Sequence, residues 1–395
     1  MKTSSIKNTI KLILLSITLM ACHSPTDISG QLEGTINKDT KIYLIEPNGL
    51  REVAASYLGK VIDSTLVNSD GSFEFQNLPK TKEAKLFELA IQQSDKSPNY
   101  LQTDNPNKAN YMPILWQPGE SLQIAAKLDE FQKSFSIEYP SETNKGLLDL
   151  RDIKQRAYQT FLAGKHWNVE NGSQLLEKEH AILQYQNKLI TFADSTKYLM
   201  PALVALRWVS PENDYERVPE FLVSQCEKWT KKQPDNPWVK QLCAESDRAN
   251  LPVLIGDVFP NLELPMLTKD TLTIKSQLGN KLTIVDLWAS WCAPCRKENR
   301  EVLVPLWDLY HGQGLQIIAY ALESDETAWK EAAEHDGASK WLQASDLQGD
   351  DAPFLKKIRI QTIPANFILD DKGLVIAKNI HGKALLDFVK TYINK

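Results

Sequence analysis

The stretch Leu282-Thr-Ile-Val-Asp-Leu-Trp-Ala-Ser-Trp-Cys-Ala-Pro-Cys295 changes character part-way along. Leu282 to Ala289 is apolar except at Thr283 and Asp286, the pattern of a central strand buried on both faces. From Cys292 to His311 the spacing becomes that of a long helix. The two cysteines therefore fall at a strand-to-helix junction. Cys292 sits at the helix N-terminus, where free N–H groups and the macrodipole favour a thiolate. The thiolate is the nucleophile of thiol–disulfide exchange. Cys295, three residues on, faces the same side and can attack the mixed disulfide that Cys292 forms.

Other uses of two cysteines fit less well. A structural zinc site needs a second ligand pair; Cys226 and Cys243 lie 17 residues apart without a nearby His set. A c-type haem site would carry His at 296, where this chain has Arg296. No metal and no cofactor is expected. Asp286 lies within the apolar strand, where ionisation is costly and its pKa should rise; a surface Asp on an edge strand is the alternative. Glu298 follows Cys295 by one turn, where a carboxylate also favours the helix dipole. Arg296 and Lys297 read as solvated helix residues.

Outward from this junction, residues 253–395 alternate strand and helix. Leu315 to Leu322 is a second strand, and Asp325 to His335 a helix. Asn366 to Leu369 and Leu374 to Lys378 form a hairpin around Asp370-Asp-Lys-Gly373, and Lys383 to Asn394 is a closing helix. The order is β-α-β-α, then antiparallel β-β, then α.

With these residues in view, Val285 to Cys295 resembles the active site of the thioredoxin fold. Thr362-Ile363-Pro364 resembles the cis-proline loop that faces it, and Phe367-Ile-Leu369 the strand that follows. The region from Gly256-Asp-Val-Phe-Pro260 to the end, with its Cys295-Arg-Lys-Glu298 helix start, resembles the TlpA/ResA branch of extracytoplasmic thiol oxidoreductases. The resemblance implies that Asp286 exchanges a proton with the resolving Cys295, and that Glu298 affects thiol acidity. It also implies that Ile363 offers its backbone to an extended substrate peptide beside Pro364, and that Trp291, with Trp288, shields and shapes the site. Core packing alone is the alternative reading of Trp288. Two departures stand out: Arg300 replaces a frequent Pro, which moves any helix kink toward Pro305, and Ala365 replaces the usual Thr after the cis-proline.

The N-terminus reads as an address. Lys2, Lys7 and Lys11 precede an apolar run of ten residues, Leu12 to Ala21. That run fits a secretory signal and is too short for a membrane span, which takes about 20 residues. Leu19-Met-Ala-Cys22 resembles a bacterial lipoprotein signal, which implies cleavage after residue 21 and lipidation of Cys22. The whole layout is similar to a group of bacterial thioredoxin-like lipoproteins.

Residues 22–140 read as an N-terminal antiparallel β module, sandwich-like, with Asn68-Ser-Asp-Gly71 as a hairpin turn. Residues 141–252 read as a central all-α region, broken firmly at Gln233-Pro-Asp-Asn-Pro237. Cys226 and Cys243 lie on helices either side of that break. An antiparallel pair would bring them face to face, and an oxidising compartment would let a structural disulfide persist.

Composition excludes several classes. The 395 residues carry 45 Lys+Arg against 50 Asp+Glu, a net −5, which argues against nucleic acid. A 42% hydrophobic fraction excludes wholesale disorder, and five cysteines are too few for a disulfide scaffold. The expected protein is a multidomain, membrane-tethered thiol–disulfide oxidoreductase of the cell envelope, facing the periplasm. Disulfide-containing exported proteins would be its substrates and a membrane thiol its electron donor. Ala293-Pro294 adds no positive group to the thiols, and Asp286 and Glu298 oppose thiolate formation, so a reductase is expected. A peroxiredoxin-type peroxidase lacks its Thr-x-x-Cys site here. A non-enzymatic binding lipoprotein using the β module is the other alternative.

Overall fold

The computed structural model describes residues 28–395 apart from 56–57, 94–95, 103–104 and 169–171. The expected signal peptide, 1–21, and Cys22 lie outside the described residues.

Two four-stranded sheets open the described chain. One orders Ser72–Glu74, Ile28–Glu33, Leu122–Lys127 and Ser136–Glu138; the other orders Lys60–Leu66, Lys41–Glu46, Lys85–Gln92 and Tyr111–Trp116. The antiparallel expectation needs one correction, because Ile28–Glu33 and Leu122–Lys127 run parallel. Alternation in sequence reports which face of a strand is buried, and says nothing of its partner's direction. The turn at Asn68 also forms, with the Gly71 N–H donating to the Asn68 carbonyl at 2.8 Å and Gly71 at φ 87°. The Asn68 N–H donates to the Ser72 carbonyl at 2.9 Å and closes a short hairpin loop, beyond which the two strands part. Lys60–Leu66 and Ser72–Glu74 join different sheets, and the buried Val67, Phe73 and Phe75 turn the chain inward across the edge between them.

Five helices follow: Glu142–Phe161, Gly172–Ser195, Leu199–Val209, Pro219–Lys232 and Pro237–Glu245. Leu199–Val209 is buried on nearly every side, as its apolar sequence requires. Pro219 and Pro237 each occupy a first turn, where a missing N–H leaves no bond unmade. The Asn236 side chain caps the last helix by accepting the Trp238 N–H at 2.9 Å. These helices share one apolar core with the two sheets. The buried Arg207 is the polar tie within it. Its guanidinium donates to the carbonyls of Val53, Ser210 and Pro211 and to Asn213, joining the β module to the turn after the third helix.

A second, separate core begins at Phe259. Its five-stranded sheet orders Leu342–Ala344, Leu315–Ala321, Leu282–Trp288, Ala365–Asp370 and Val375–Lys378. The first three strands are parallel and the last two antiparallel to their neighbours. Leu282–Trp288 lies in the middle with all seven residues buried. The helix after Cys292 runs as Ala293–Glu298, a π-helical turn at Asn299–Leu303, then Val304–Tyr310. The irregularity sits immediately before Pro305, whose nitrogen has no hydrogen to donate into the preceding turn. The two cores meet across a polar seam that includes Arg248 with Asp257 at 2.7 Å and Lys378 with Glu220 at 2.8 Å.

Candidate active site

The central strand delivers its chain to the C-terminal edge of the parallel strands, where open α/β sheets place their sites. Cys292 caps the helix that begins there. The Cys295 N–H donates to Cys292 Sγ at 3.3 Å, and the Arg296 N–H to the Cys292 carbonyl at 3.0 Å. The pair is oxidised, with a disulfide and Cα atoms 5.3 Å apart. Both cysteines are nearly buried, whereas Trp291 beside them is 64% exposed.

Ile363–Pro364 is a cis peptide. It precedes Ala365, which pairs with Leu287 in the sheet, so one step further along that register sets Pro364 level with Trp288. The loop thus belongs to the same sheet edge as the cysteines. Trp288 itself is fully buried and donates to Gln343 Oε1 at 3.2 Å; it is a core residue.

Asp286 lies in the central strand rather than at an edge, 3% exposed. Burial pushes its carboxyl well above the ordinary carboxylate range, and the negative charge of Glu298 pushes the same way. Glu298 is also buried. Its two oxygens accept the Gly382 N–H at 3.0 and 3.2 Å, and His381 Nδ1 lies 3.7 Å from Oε1. The four residues Cys292, Cys295, Asp286 and Glu298 thus come from one strand and the helix that follows it.

Several groups here were not foreseen. Arg296 is no solvated helix residue: it makes a two-pronged pair with Asp336, at 2.7 and 2.9 Å, and Arg300 joins at 2.6 Å. The Asp336 side chain is wholly buried, and desolvation alone would raise its pKa. Hydrogen bonds from Arg296, His335 and Arg300 outweigh it and hold the carboxyl below its usual value. Glu323, also buried, accepts the Ser290 N–H under the loop that leads to Cys292. Its place just after an apolar parallel strand was the available signal. His381 carried none, because its neighbour Glu298 is 83 positions away. Among the described residues no group of three or more His, Cys, Asp or Glu side chains converges to hold a metal ion.

Away from the site, Cys226 and Cys243 are disulfide bonded across the last two helices of the central region, with Cα atoms 5.1 Å apart. The long helix Gly172–Ser195 of that region lies against the cysteine-bearing helix Ala293–Glu298. No helix among the described residues is long and apolar enough to cross a membrane.

Comparison with known proteins bears on this domain. Residues 254–385 match the Redoxin family model. The chain is 27% identical over 141 residues to the thiol:disulfide interchange protein DsbE of Pseudomonas fluorescens biotype C, covering 34% of this chain and 71% of that protein. It is also 27% identical over 141 residues to the thiol-disulfide oxidoreductase ResA of Bacillus cereus (strain ATCC 10987 / NRS 248), covering 36% and 78%. The C-terminal domain is a TlpA/ResA-like thioredoxin-fold thiol:disulfide oxidoreductase. The crystal structure of the thioredoxin domain of a thiol-disulfide oxidoreductase from Bacteroides vulgatus is 28% identical to this oxidoreductase domain. It covers 36% of this chain and 99% of that one at a TM-score of 0.33. The two sheets and five helices before this domain lie outside the matched family model.

Proposed function

We propose that the protein is an extracytoplasmic, membrane-tethered reductase of disulfides in exported proteins. The observation that carries this reading is the Cys292–Cys295 disulfide at a helix start, with the buried Asp286 in the strand that feeds it. In the reduced form the Cys292 thiolate attacks a substrate disulfide. An S–S bond forms between Cys292 and one substrate sulfur, and the other sulfur leaves and takes a proton. Cys295 then gives its proton to Asp286 and attacks Cys292 Sγ. This releases the second substrate thiol and closes the Cys292–Cys295 disulfide. Two electrons pass to the substrate, and a membrane thiol donor returns them. Glu298 tunes the acidity of this set, and Ile363 with Pro364 receives the substrate main chain beside Trp291.

The parts are a lipoprotein signal at 1–21, a β module at 22–140, a helical region at 141–252 and the oxidoreductase domain at 253–395. Cys22 carries the lipid that holds the chain at the envelope membrane, facing the periplasm. The reducing direction rests on the negative groups around the thiols, Asp286 and Glu298, and on an Ala293-Pro294 spacer without a cation. Equilibration of the full chain with glutathione tests it. A potential near thioredoxin's value of about −270 mV is expected, and one above about −180 mV would make the protein an oxidant or isomerase. Mass spectrometry of the mature N-terminus tests the anchor: a diacylglyceryl group on Cys22 is expected, and an unmodified Cys22 would remove the tether.

A further inference from the structure

The turn between the helices Leu199–Val209 and Pro219–Lys232 reaches across the seam to the loop that carries Ile363. Glu216 Oε2 accepts the Gln361 N–H at 2.9 Å. Its Oε1 accepts the Thr362 N–H at 3.1 Å and the Thr362 hydroxyl at 2.5 Å. The next residue, Arg217, donates from Nη2 to the Pro364 carbonyl at 3.1 Å and from Nη1 to Asn379 Oδ1 at 3.1 Å. Two adjacent side chains of the upstream unit thus hold the loop on both sides of Ile363. Between these occupied positions, the N–H and C=O of Ile363 make no hydrogen bond among the described residues.

The clamp is itself braced. Arg217 lies 3.7 Å from Glu179 on the long helix that packs against the cysteine helix. The turn that bears Glu216 and Arg217 starts at Ser210 and Asn213, where the buried Arg207 accounts for two of its bonds. A carboxylate that takes two N–H groups and a hydroxyl, and a guanidinium that takes a carbonyl, are charge-assisted bonds with fixed directions. They fix the main chain of the loop while adding nothing that touches the sulfurs.

We infer that Glu216 and Arg217 are positioning residues for the substrate main chain, and that the helical region is part of the substrate groove. This rests on the reading of the protein as a disulfide reductase. By holding Thr362 and Pro364, the pair presents the free N–H and C=O of Ile363 to one residue of an extended polypeptide, in the manner of strand addition. The favoured substrate class is therefore an unfolded or extended chain carrying a disulfide. A small disulfide without a main chain gains nothing from the clamp.

The test compares two oxidised substrates in steady-state turnover by the full chain, with glutathione supplying the electrons and its uncatalysed rate subtracted: a disulfide-closed Cys-x-x-Cys peptide, and hydroxyethyl disulfide, which has no peptide group. In Glu216→Gln and Arg217→Gln, KM for the peptide should rise about tenfold, the size expected for loss of a charged hydrogen bond, with kcat little changed. Turnover of hydroxyethyl disulfide should change by less than about twofold. Arg217→Lys should recover part of the peptide KM. Neither residue belongs to either apolar core, so each variant should keep a cooperative melting transition, displaced by only a few degrees. Should one variant unfold, Glu216→Asp or Arg217→Lys takes its place and the same comparison decides. An unchanged peptide KM, or an equal loss with both substrates, would overturn the inference while leaving the reductase reading intact. Wild-type protein that turns over neither substrate would overturn the reductase reading itself.

Discussion

The Glu298 carboxylate accepts the Gly382 N–H through both of its oxygens, at 3.0 and 3.2 Å, and so ties the end of the cysteine helix to the start of Gly382–Ile393. A buried acid satisfied in this way stays in place, and its charge reaches Asp286 through a protein interior rather than through water. The two acids are thus electrostatically linked.

Asp286→Asn removes the proton acceptor assigned to Cys295. Turnover of a peptide disulfide at neutral pH should fall roughly 100-fold, the low end for a lost acid–base group, while alkylation of Cys292 in the reduced protein stays near the wild-type rate. The same variant should be more stable. The buried carboxyl has a raised pKa, so as pH climbs above about 4 the unfolded chain ionises while the native one resists, and native stability declines until the native pKa is passed. Asn has no such loss. Melting curves should nearly coincide at about pH 4 and separate as pH rises, with the variant higher by about 2–5 °C.

Glu298→Gln takes away a negative charge that raises the Asp286 pKa. If ionised Asp286 is the working base, the rising limb of kcat/KM against pH should move toward lower pH in the variant. The Gly382 N–H keeps one acceptor oxygen, so the fold should lose only about 1 kcal/mol in urea titration. A limb that stays in place would separate Glu298 from the chemistry.

Much of the oxidoreductase domain was legible because its signals are local. Asp286 between Val285 and Leu287 reads as a buried acid in a central strand, and Cys292 and Cys295 read as a redox pair from the junction that holds them. Pro305 was enough to place the helix irregularity. The upstream unit was harder for two physical reasons. Periodicity distinguishes strand from helix but does not report which cores merge, and so it did not show that Leu44 and Leu203 share one core. Strand direction and long-range polar contacts leave no local trace either. Ile28–Glu33 beside Leu122–Lys127, and Glu216 beside Thr362, are both products of the assembled chain.

Cys226 and Cys243 close a loop with a sequence separation of 17, which in the chain-entropy account corresponds to about 3 kcal/mol. Replacing both with Ala should lower the melting of the upstream unit by roughly 6–12 °C. The oxidoreductase domain has its own core, so its transition should hold in the same calorimetric scan. A single transition that moves as a whole would mean the seam couples the two cores.

The proposed cycle has Cys292 attack and Cys295 resolve. Cys295→Ser leaves the attacking thiol and removes the resolving one, so a substrate disulfide should stop at the mixed-disulfide stage. Incubation of the reduced variant with an oxidised Cys-x-x-Cys peptide, followed by non-reducing mass spectrometry and fragmentation, reads this directly. One peptide linked through Cys292 and released by dithiothreitol is expected, with no adduct in Cys292→Ser under the same conditions. An adduct on another cysteine, or none in Cys295→Ser, would contradict it.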